Sequence, residues 1–194
     1  MNRKIILAST STYRRQLLQR LGLAFDIVAP DIDESALPNE PALDRARRLS
    51  ERKALAVAAQ VQDPALVIGS DQVAELDGRH IGKPGSRAQA IMQLTALHGR
   101  EVLFHSGVAI VASLGGLVRS TVVSTQVKMR DYAHDEIVRY VDREPAFDCA
   151  GSAKSEGLGI ALIESIRSDD PTALIGLPLI ATLALLREHG VDIL

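Results

Sequence analysis

The chain lacks tryptophan, and aromatic residues of all kinds make up only 3% of it. Its hydrophobic residues, 46% of the total, must therefore build an aliphatic core. An excess of one charge is also absent, because 22 basic residues nearly balance 24 acidic ones and leave a net charge of −2. Proteins that bind polymeric nucleic acid usually combine a basic surface with stacking aromatics, so such a partner is not expected.

Cysteine and long apolar runs are equally scarce. Cys149 is the single cysteine, which excludes an internal disulfide and fits a reducing compartment. The longest apolar stretch, residues 174–186, is too short to span a bilayer, and no signal-like pattern precedes the first apolar run. We therefore expect a cytoplasmic protein with no membrane partner.

Strand-like and helical patterns alternate along the 194 residues and predict an α/β fold, with a mixed twisted sheet flanked by helices. The length suits a single domain over residues 1–194. The predicted helices cover residues 13–21, 42–60, 86–97, 135–142 and 177–189. The predicted strands cover residues 4–8, 24–28, 66–69, 73–76, 80–81, 101–112, 118–129 and 159–166, of which 101–112 and 118–129 form a long β-hairpin.

The first predicted strand runs into four hydroxyl residues, Ser9 to Thr12, and then into Arg14 and Arg15 at the start of a helix. The backbone N–H groups and the dipole of a helix N-terminus favour anions, and arginine offers a forked donor that matches phosphate. The pattern indicates an anion site. Ser11 as an ordinary helix N-cap beside solvated arginines is the alternative.

A second candidate is Asp71, because the apolar strand 66–69 is predicted to stop at Ser70. Ligands gather beyond the carboxyl ends of strands in open α/β sheets, where a carboxylate can accept a proton or hold a cation. An Asx-turn is the alternative. Lys83 lies in a stiff turn between Gly82 and Pro84. A ligand contact and an ordinary exposed lysine are equally good interpretations of this position.

Three further groups of residues are candidates on local grounds. Asp33 and Glu34 form an acidic pair that suits a divalent cation, or else a solvated loop. Lys53 lies within a long helix, where most lysines are solvated. Lys154 and Glu156 lie in a loop of small residues bounded by glycines, which could admit a ligand close to the backbone.

The order of these motifs along the whole chain resembles the Maf family of nucleotide pyrophosphatases. One position departs from the family pattern, since Thr12 stands where a proline usually follows the second serine. The motifs that carry the resemblance are Leu7-Ala8-Ser9-Thr10-Ser11 with Arg14-Arg15, Asp33-Glu34, Lys53, Ile68-Gly69-Ser70-Asp71-Gln72-Val73, Gly82-Lys83-Pro84, residues 150–157, and Gly176-Leu177-Pro178-Leu179.

The resemblance implies a Maf/Ham1-like, inosine triphosphatase-like fold with two lobes around a central cleft, and a homodimer. It also implies hydrolysis of the α–β phosphoanhydride of a nucleoside triphosphate, with Mg²⁺ or Mn²⁺ as cofactor. The roles that it assigns are catalysis for Asp71 (the general base), Lys53 and Lys83, substrate binding for Ser9, Ser11, Arg14 and Lys154, and metal binding for Glu34.

Within the family, the chain is most similar to the members that act on 7-methyl-GTP and so remove a modified nucleotide. Tyr13, Gln72 and Glu156 carry this similarity, and relatives that hydrolyse dTTP and UTP usually have Arg, Thr and Gln there. The difference is chemically reasonable, because a cationic methylated guanine is attracted to an aromatic face. An ionised Glu156 could accept from two N–H groups of guanine, whereas uracil and thymine offer one between two carbonyls.

Two alternatives stay open at this point. The first is a dTTP/UTP pyrophosphatase of the same family. The second is a nucleotide-binding regulator of cell division, because the family name is associated with septum formation.

Overall fold

The computed structural model describes residues 3–194, and no helix in this range is long and apolar enough to cross a membrane. The strands are β1 (Lys4–Ala8), β2 (Asp26–Val28), β3 (Ala65–Leu76), β4 (Arg79–Ile81), β5 (Glu101–Ala112), β6 (Val118–Met129) and β7 (Ile163–Arg167). The α-helices are α1 (Thr12–Gln19), α2 (Ala42–Ala58), α3 (Arg87–Leu97), α4 (His134–Arg143) and α5 (Leu179–Glu188). Short 3₁₀ helices cover Ala150–Ser152, Leu158–Leu162 and Ala173–Ile175.

Seven strands of the described chain form one sheet in the order β2-β1-β3-β5-β6-β7, and β4 pairs with β3. Strand β1 runs parallel to both β2 and β3. Strand β4 is antiparallel to β3, and β7 is antiparallel to β6. The prediction of a mixed sheet with flanking helices is therefore confirmed.

The chain packs as two compact units. The first comprises the described residues up to Gln72 together with His105–Val123 and Asp170–Leu194, and the second comprises Val73–Phe104 and Ser124–Asp169. A single domain over residues 1–194 remains a prediction.

The core of the first unit follows from the alternation of side chains along β3. Leu66 and Ile68 are fully buried with the apolar faces of α1 and α5, whereas Val67 packs on the other side with Ala54 and Val57 of α2. Successive strand residues point to opposite faces. Ser70 and Gln72 consequently lie on the α1 and α5 side, and Asp71 lies on the α2 side.

Helix α2 lies directly on the backbone of the sheet at two glycines. A Cβ atom added to Gly69 would come within 2.2 Å of the Ser50 carbonyl oxygen, and one added to Gly107 within 2.4 Å of the Ser50 hydroxyl. Any side chain at these positions would force the helix away. The close approach brings Ser50 and Lys53 of α2 against β3.

Strand β3 does not stop at Ser70, so the prediction of a strand end there is wrong. The backbone N–H of Asp71 donates to the Ser50 hydroxyl (3.0 Å), and the strand continues until it pairs with β4 from Ala74 onward. Strand β1 ends at Ala8, opposite Gly69. Asp71 therefore lies beyond the carboxyl end of the neighbouring strand, although it is within its own.

In the second unit, the predicted strand 159–166 begins only at Ile163, after the 3₁₀ helix Leu158–Leu162. The N–H of Gly159 donates to the Glu144 carboxylate (3.0 Å), so a side chain takes the place of a strand partner. The other predicted elements are present with bounds that differ by a few residues, and β1, β5 and β6 have the predicted bounds.

Candidate active site

Three charged residues predicted from the sequence meet in the first unit. The Lys53 ammonium lies 2.6 Å from Asp71 Oδ1 and 2.9 Å from Glu34 Oε1. Lys53 and Asp71 are only 5% and 7% exposed, whereas the Glu34 side chain is about half exposed. A buried cation thus holds a buried carboxylate and a second carboxylate that reaches solvent.

The burial of Lys53 contradicts the local pattern, which favours a solvated helix lysine. Lys53 lies on the apolar face of α2 together with Leu49, Ala54 and Val57, and that face packs on the sheet. The same face carries Ser50, which donates to the Ala46 carbonyl (2.6 Å) and accepts from the Asp71 N–H.

Ser50 is a site residue that sequence reasoning missed. A hydroxyl and a lysine three residues apart on one apolar helix face are the signal that could have found it, because such polar groups need buried partners.

The turn between β1 and α1 contains the predicted hydroxyl residues. Ser11 is the N-cap of α1 and accepts from the Arg14 N–H (3.4 Å), while the buried Ser9 accepts from the Ser11 N–H (3.1 Å). The capping role is therefore present. Substrate binding by Ser9 and Ser11 remains a prediction.

Arg14 extends from α1 toward the same cluster of charges. Its Nε donates to the Gly176 carbonyl (2.9 Å), which also accepts from the Ser70 hydroxyl (3.0 Å). Burial lowers the pKa of Arg14, and the negative charges of Asp71 and Glu34 oppose that shift. The guanidinium is thus within the electrostatic reach of both carboxylates.

The loop that carries Glu34 is fastened to α2 by two arginines. Arg45 donates to the Glu34 carbonyl (3.0 Å), and Arg48 donates to the Ser35 carbonyl (3.1 Å) and to the Glu40 carboxylate (2.7 Å). The hydrogen bond from Arg48 lowers the pKa of Glu40 to about 2. The Glu40 side chain is only 6% exposed.

We expect Glu40→Gln to lower the free energy of unfolding by about 1–2 kcal/mol at pH 7, because a charge-assisted hydrogen bond is lost. The folded-state pKa lies below the unfolded value, so the contribution is complete above the ordinary glutamate pKa and is lost as the pH falls toward 2. Urea denaturation at several pH values measures the difference between variant and wild type, which should shrink below pH about 4.5.

The matched control is Glu188→Gln, since Glu188 forms an exposed pair with Arg119 (3.3 Å). Exposed pairs contribute little, so this variant should stay within about 0.5 kcal/mol of the wild type. A Glu40→Gln difference that does not change with pH would contradict the assignment.

A divalent cation fits the donor set at this site. No group of three or more His, Cys, Asp or Glu side chains among residues 3–194 is arranged to hold a metal on its own. Magnesium, however, is commonly bound by one or two carboxylates with phosphate oxygens and waters completing its shell. The partly exposed Glu34 carboxylate next to Asp71 meets that requirement.

The second unit carries the remaining predicted residues. Lys83 is exposed, in a turn where the next residue, Pro84, is buried and the Gly85 N–H donates to the Phe147 carbonyl (3.1 Å). Lys154 is mostly buried and lies 3.8 Å from the Asp148 carboxylate, and Glu156 is exposed. Their predicted roles stay predictions.

Two predicted specificity residues belong to the first unit. Tyr13 is half-buried in the first turn of α1. Gln72 is also half-buried, and its side-chain nitrogen donates to Ser106 and to the carbonyls of Ala173 and Leu174. Their effect on specificity remains a prediction.

Asp170, for which the sequence indicates no role, has a structural one. It is 1% exposed and accepts from the Thr172 hydroxyl and the Ile180 N–H, both at 2.7 Å. It therefore satisfies donors of the first turn of α5 and fastens the segment before that helix.

The fold is similar to that of a solved structure, the Ham1 protein of Staphylococcus aureus. The TM-score is 0.53 at 15% sequence identity, and the similarity covers 96% of this chain and 100% of that chain. The predicted Ham1-like fold is therefore confirmed.

Curated relatives are much more similar in sequence. A protein of Aromatoleum aromaticum is 57% identical over 96% of both chains, and one of Xanthomonas axonopodis pv. citri is 54% identical over 98% of both. Each is named 7-methyl-GTP pyrophosphatase. The family model described as Maf-like protein matches residues 4–189, and the chain therefore belongs to the Maf family.

Proposed function

We propose that this protein is a nucleoside triphosphate pyrophosphatase that hydrolyses 7-methyl-GTP to 7-methyl-GMP and pyrophosphate. The observation that carries the proposal is the buried Asp71 carboxylate, held 2.6 Å from Lys53, which also pairs with Glu34. The names of the relatives at 57% and 54% identity support the same substrate.

In the proposed reaction, Asp71 accepts a proton from water, and the water oxygen forms a bond to the α-phosphorus. The bond between the α-phosphorus and the bridging oxygen breaks, and pyrophosphate leaves with its electron pair. A positioned base of this kind contributes typically about 10²–10⁴-fold to the rate. Arg14 and Lys53 stabilise the negative charge that develops on the phosphate oxygens.

The other predicted residues complete the proposal. Ser9, Ser11, Lys83 and Lys154 bind phosphate oxygens. Glu34 would hold a divalent cation, Mg²⁺ or Mn²⁺, which neutralises part of the triphosphate charge when it is bound. We also propose that the protein is cytoplasmic and that it is a homodimer, the latter because the family resemblance implies it. Sedimentation at several concentrations tests its assembly state.

Specificity in this proposal rests on Tyr13, Gln72 and Glu156. The Tyr13 ring offers an aromatic face to the cationic 7-methylguanine. Glu156 accepts from the N1–H and N2–H groups of the base and also opposes its positive charge. Neither interaction is available to the same extent with uracil or thymine.

The test is pyrophosphate release from 7-methyl-GTP, GTP, dTTP and UTP with Mg²⁺ or Mn²⁺, and again with a chelator. We expect the highest kcat/KM for 7-methyl-GTP and no turnover with the chelator. A preference for dTTP or UTP would contradict the proposed substrate but not the proposed pyrophosphatase reaction. Tight nucleotide binding without turnover would instead favour the regulator of cell division.

Glu156→Gln is expected to reduce the preference for 7-methyl-GTP over UTP by about 10-fold in kcat/KM. The reason is that a neutral amide is not attracted to the cationic base. Rotation of the amide group also lets it pair with uracil. Steady-state kinetics with both nucleotides measure the ratio. Glu164→Gln is the control, because Glu164 is an exposed glutamate of β7 in the same unit. An unchanged ratio in Glu156→Gln would contradict the assignment.

A further inference from the structure

The side-chain nitrogen of Gln72 is engaged within the protein. Its Nε2 atom lies 2.9 Å from the Ser106 hydroxyl, 3.0 Å from the Ala173 carbonyl and 2.9 Å from the Leu174 carbonyl. An amide nitrogen carries two hydrogens, and three acceptors already share them. The nitrogen therefore has no hydrogen left to donate to a nucleobase.

The acceptors belong to the segment that orients Arg14. Ala173 begins the 3₁₀ helix Ala173–Ile175, and the following residue is Gly176, whose carbonyl accepts from Arg14 Nε (2.9 Å). The Gly176 N–H donates back to the Ala173 carbonyl (3.0 Å). Displacing Ala173 would thus move the carbonyl that holds the guanidinium.

Strand β3 fastens this segment at both ends. Gln72 holds Ala173 and Leu174, and Ser70, two residues earlier on the same face of the strand, donates to the Gly176 carbonyl (3.0 Å). Ser106 of β5 adds a hydrogen bond to the Ala173 carbonyl (2.6 Å). Gly176 has φ of 125°, which only glycine adopts readily, so a side chain at this position would strain the turn.

We propose that Gln72 is a positioning residue: it holds residues 173–176 so that the Gly176 carbonyl orients Arg14 toward the phosphates of the substrate. The proposal rests on the proposed function, because it deepens the part that Arg14 plays there. Its consequence is that Gln72 contributes to the binding of the phosphate chain whatever the base is.

The test compares Gln72→Met, which keeps the length of the side chain and removes its donor, with the wild type. We expect KM for UTP and for 7-methyl-GTP both to rise, the latter by about 10-fold. The inhibition constant of inorganic tripolyphosphate, which has no base, should rise by that factor as well. Gln126→Met is the control, since Gln126 is a half-buried residue of β6 that contacts Glu101 and lies outside this cluster.

A double-mutant cycle tests whether the effect passes through Arg14. Arg14→Lys should cost activity by itself, and Gln72→Met should add little to it if both changes remove the same interaction. Additive losses would overturn the proposal. A change in the ratio of 7-methyl-GTP to UTP activity, with the tripolyphosphate constant unchanged, would overturn it too and favour a base contact.

Amide hydrogen exchange separates this inference from the proposed function. The N–H groups of Ile175 and Gly176 donate the hydrogen bonds that close the 3₁₀ turn. Gln72→Met should accelerate hydrogen exchange at these two amides, whether or not the protein hydrolyses nucleotides. If the wild type hydrolyses no nucleotide, the proposed function fails. Unchanged exchange at these two amides would overturn the role of Gln72 independently.

Discussion

Asp71→Asn is expected to lower kcat for 7-methyl-GTP hydrolysis by about 10³-fold, within the range that removal of a general base produces. Asparagine has nearly the same shape, so the cost lies in the lost proton acceptor. The fold should persist, because Lys53 keeps Glu34 as its ionic partner and the Asp71 backbone keeps its bond to Ser50. Pyrophosphate release under saturating substrate measures the effect.

Nucleotide binding separates catalysis from a general disruption of the site. The dissociation constant of the triphosphate, measured by calorimetry, should stay within about 5-fold of the wild type or improve, because a negative charge near the phosphates is removed. Asp63→Asn, at an exposed position before β3, is the control and should leave both quantities unchanged. Full turnover in Asp71→Asn would exclude Asp71 as the base.

Lys53→Met is expected to cost about 3 kcal/mol of the free energy of unfolding, because it leaves a buried carboxylate without its cation. Lys53 and Asp71 are 6% and 10% exposed in their side chains, so solvent screens the pair little. Glu34 can turn toward solvent, but Asp71 cannot. We also expect kcat to fall about 10²-fold or more, since a cation near the phosphates is removed. Denaturation and steady-state kinetics measure the two effects.

A second variant identifies the cause of that destabilisation. In the double variant Lys53→Met with Asp71→Asn, the buried charge is gone, and most of the lost stability should return while activity stays low. Arg52→Met, at the exposed neighbouring position of α2, is the control and should stay within about 0.5 kcal/mol of the wild type. If the double variant is as unstable as Lys53→Met, the cost comes from packing and not from the charge.

Much of the fold was predictable because its signals are local. The bounds of β1, β5 and β6 follow from strand-like patterns bounded by turn residues. Ser86 and Ser11 cap α3 and α1 as hydroxyl residues commonly do. The end of β3 was not predictable in this way. The group that accepts the Asp71 N–H is Ser50, 21 residues away, and no local pattern indicates it.

In the candidate site, too, the residue types were predictable from the sequence, whereas contacts between distant residues were not. The residue types were available from the sequence: hydroxyls and Arg14 at a helix start, an acidic pair, Lys53, and Asp71 after an apolar run. Their motif order also indicated the family, which the match over residues 4–189 confirms. For Gln72, in contrast, the sequence predicts a role in specificity but not its hydrogen bonds, because the partners Ser106, Ala173 and Leu174 lie far along the chain.

The sequence by itself determined most of the secondary structure, the family and the chemical groups available for phosphate chemistry. Only the tertiary structure decided which of these groups are buried and paired. In the sequence, Lys53 has the pattern of a solvated helix lysine. In the structure, Gly69 and Gly107 let α2 lie against the sheet, and this packing brings the Lys53 ammonium to Asp71. The reason is physical: burial and ion pairing depend on packing between elements distant in the chain, which local propensity does not encode.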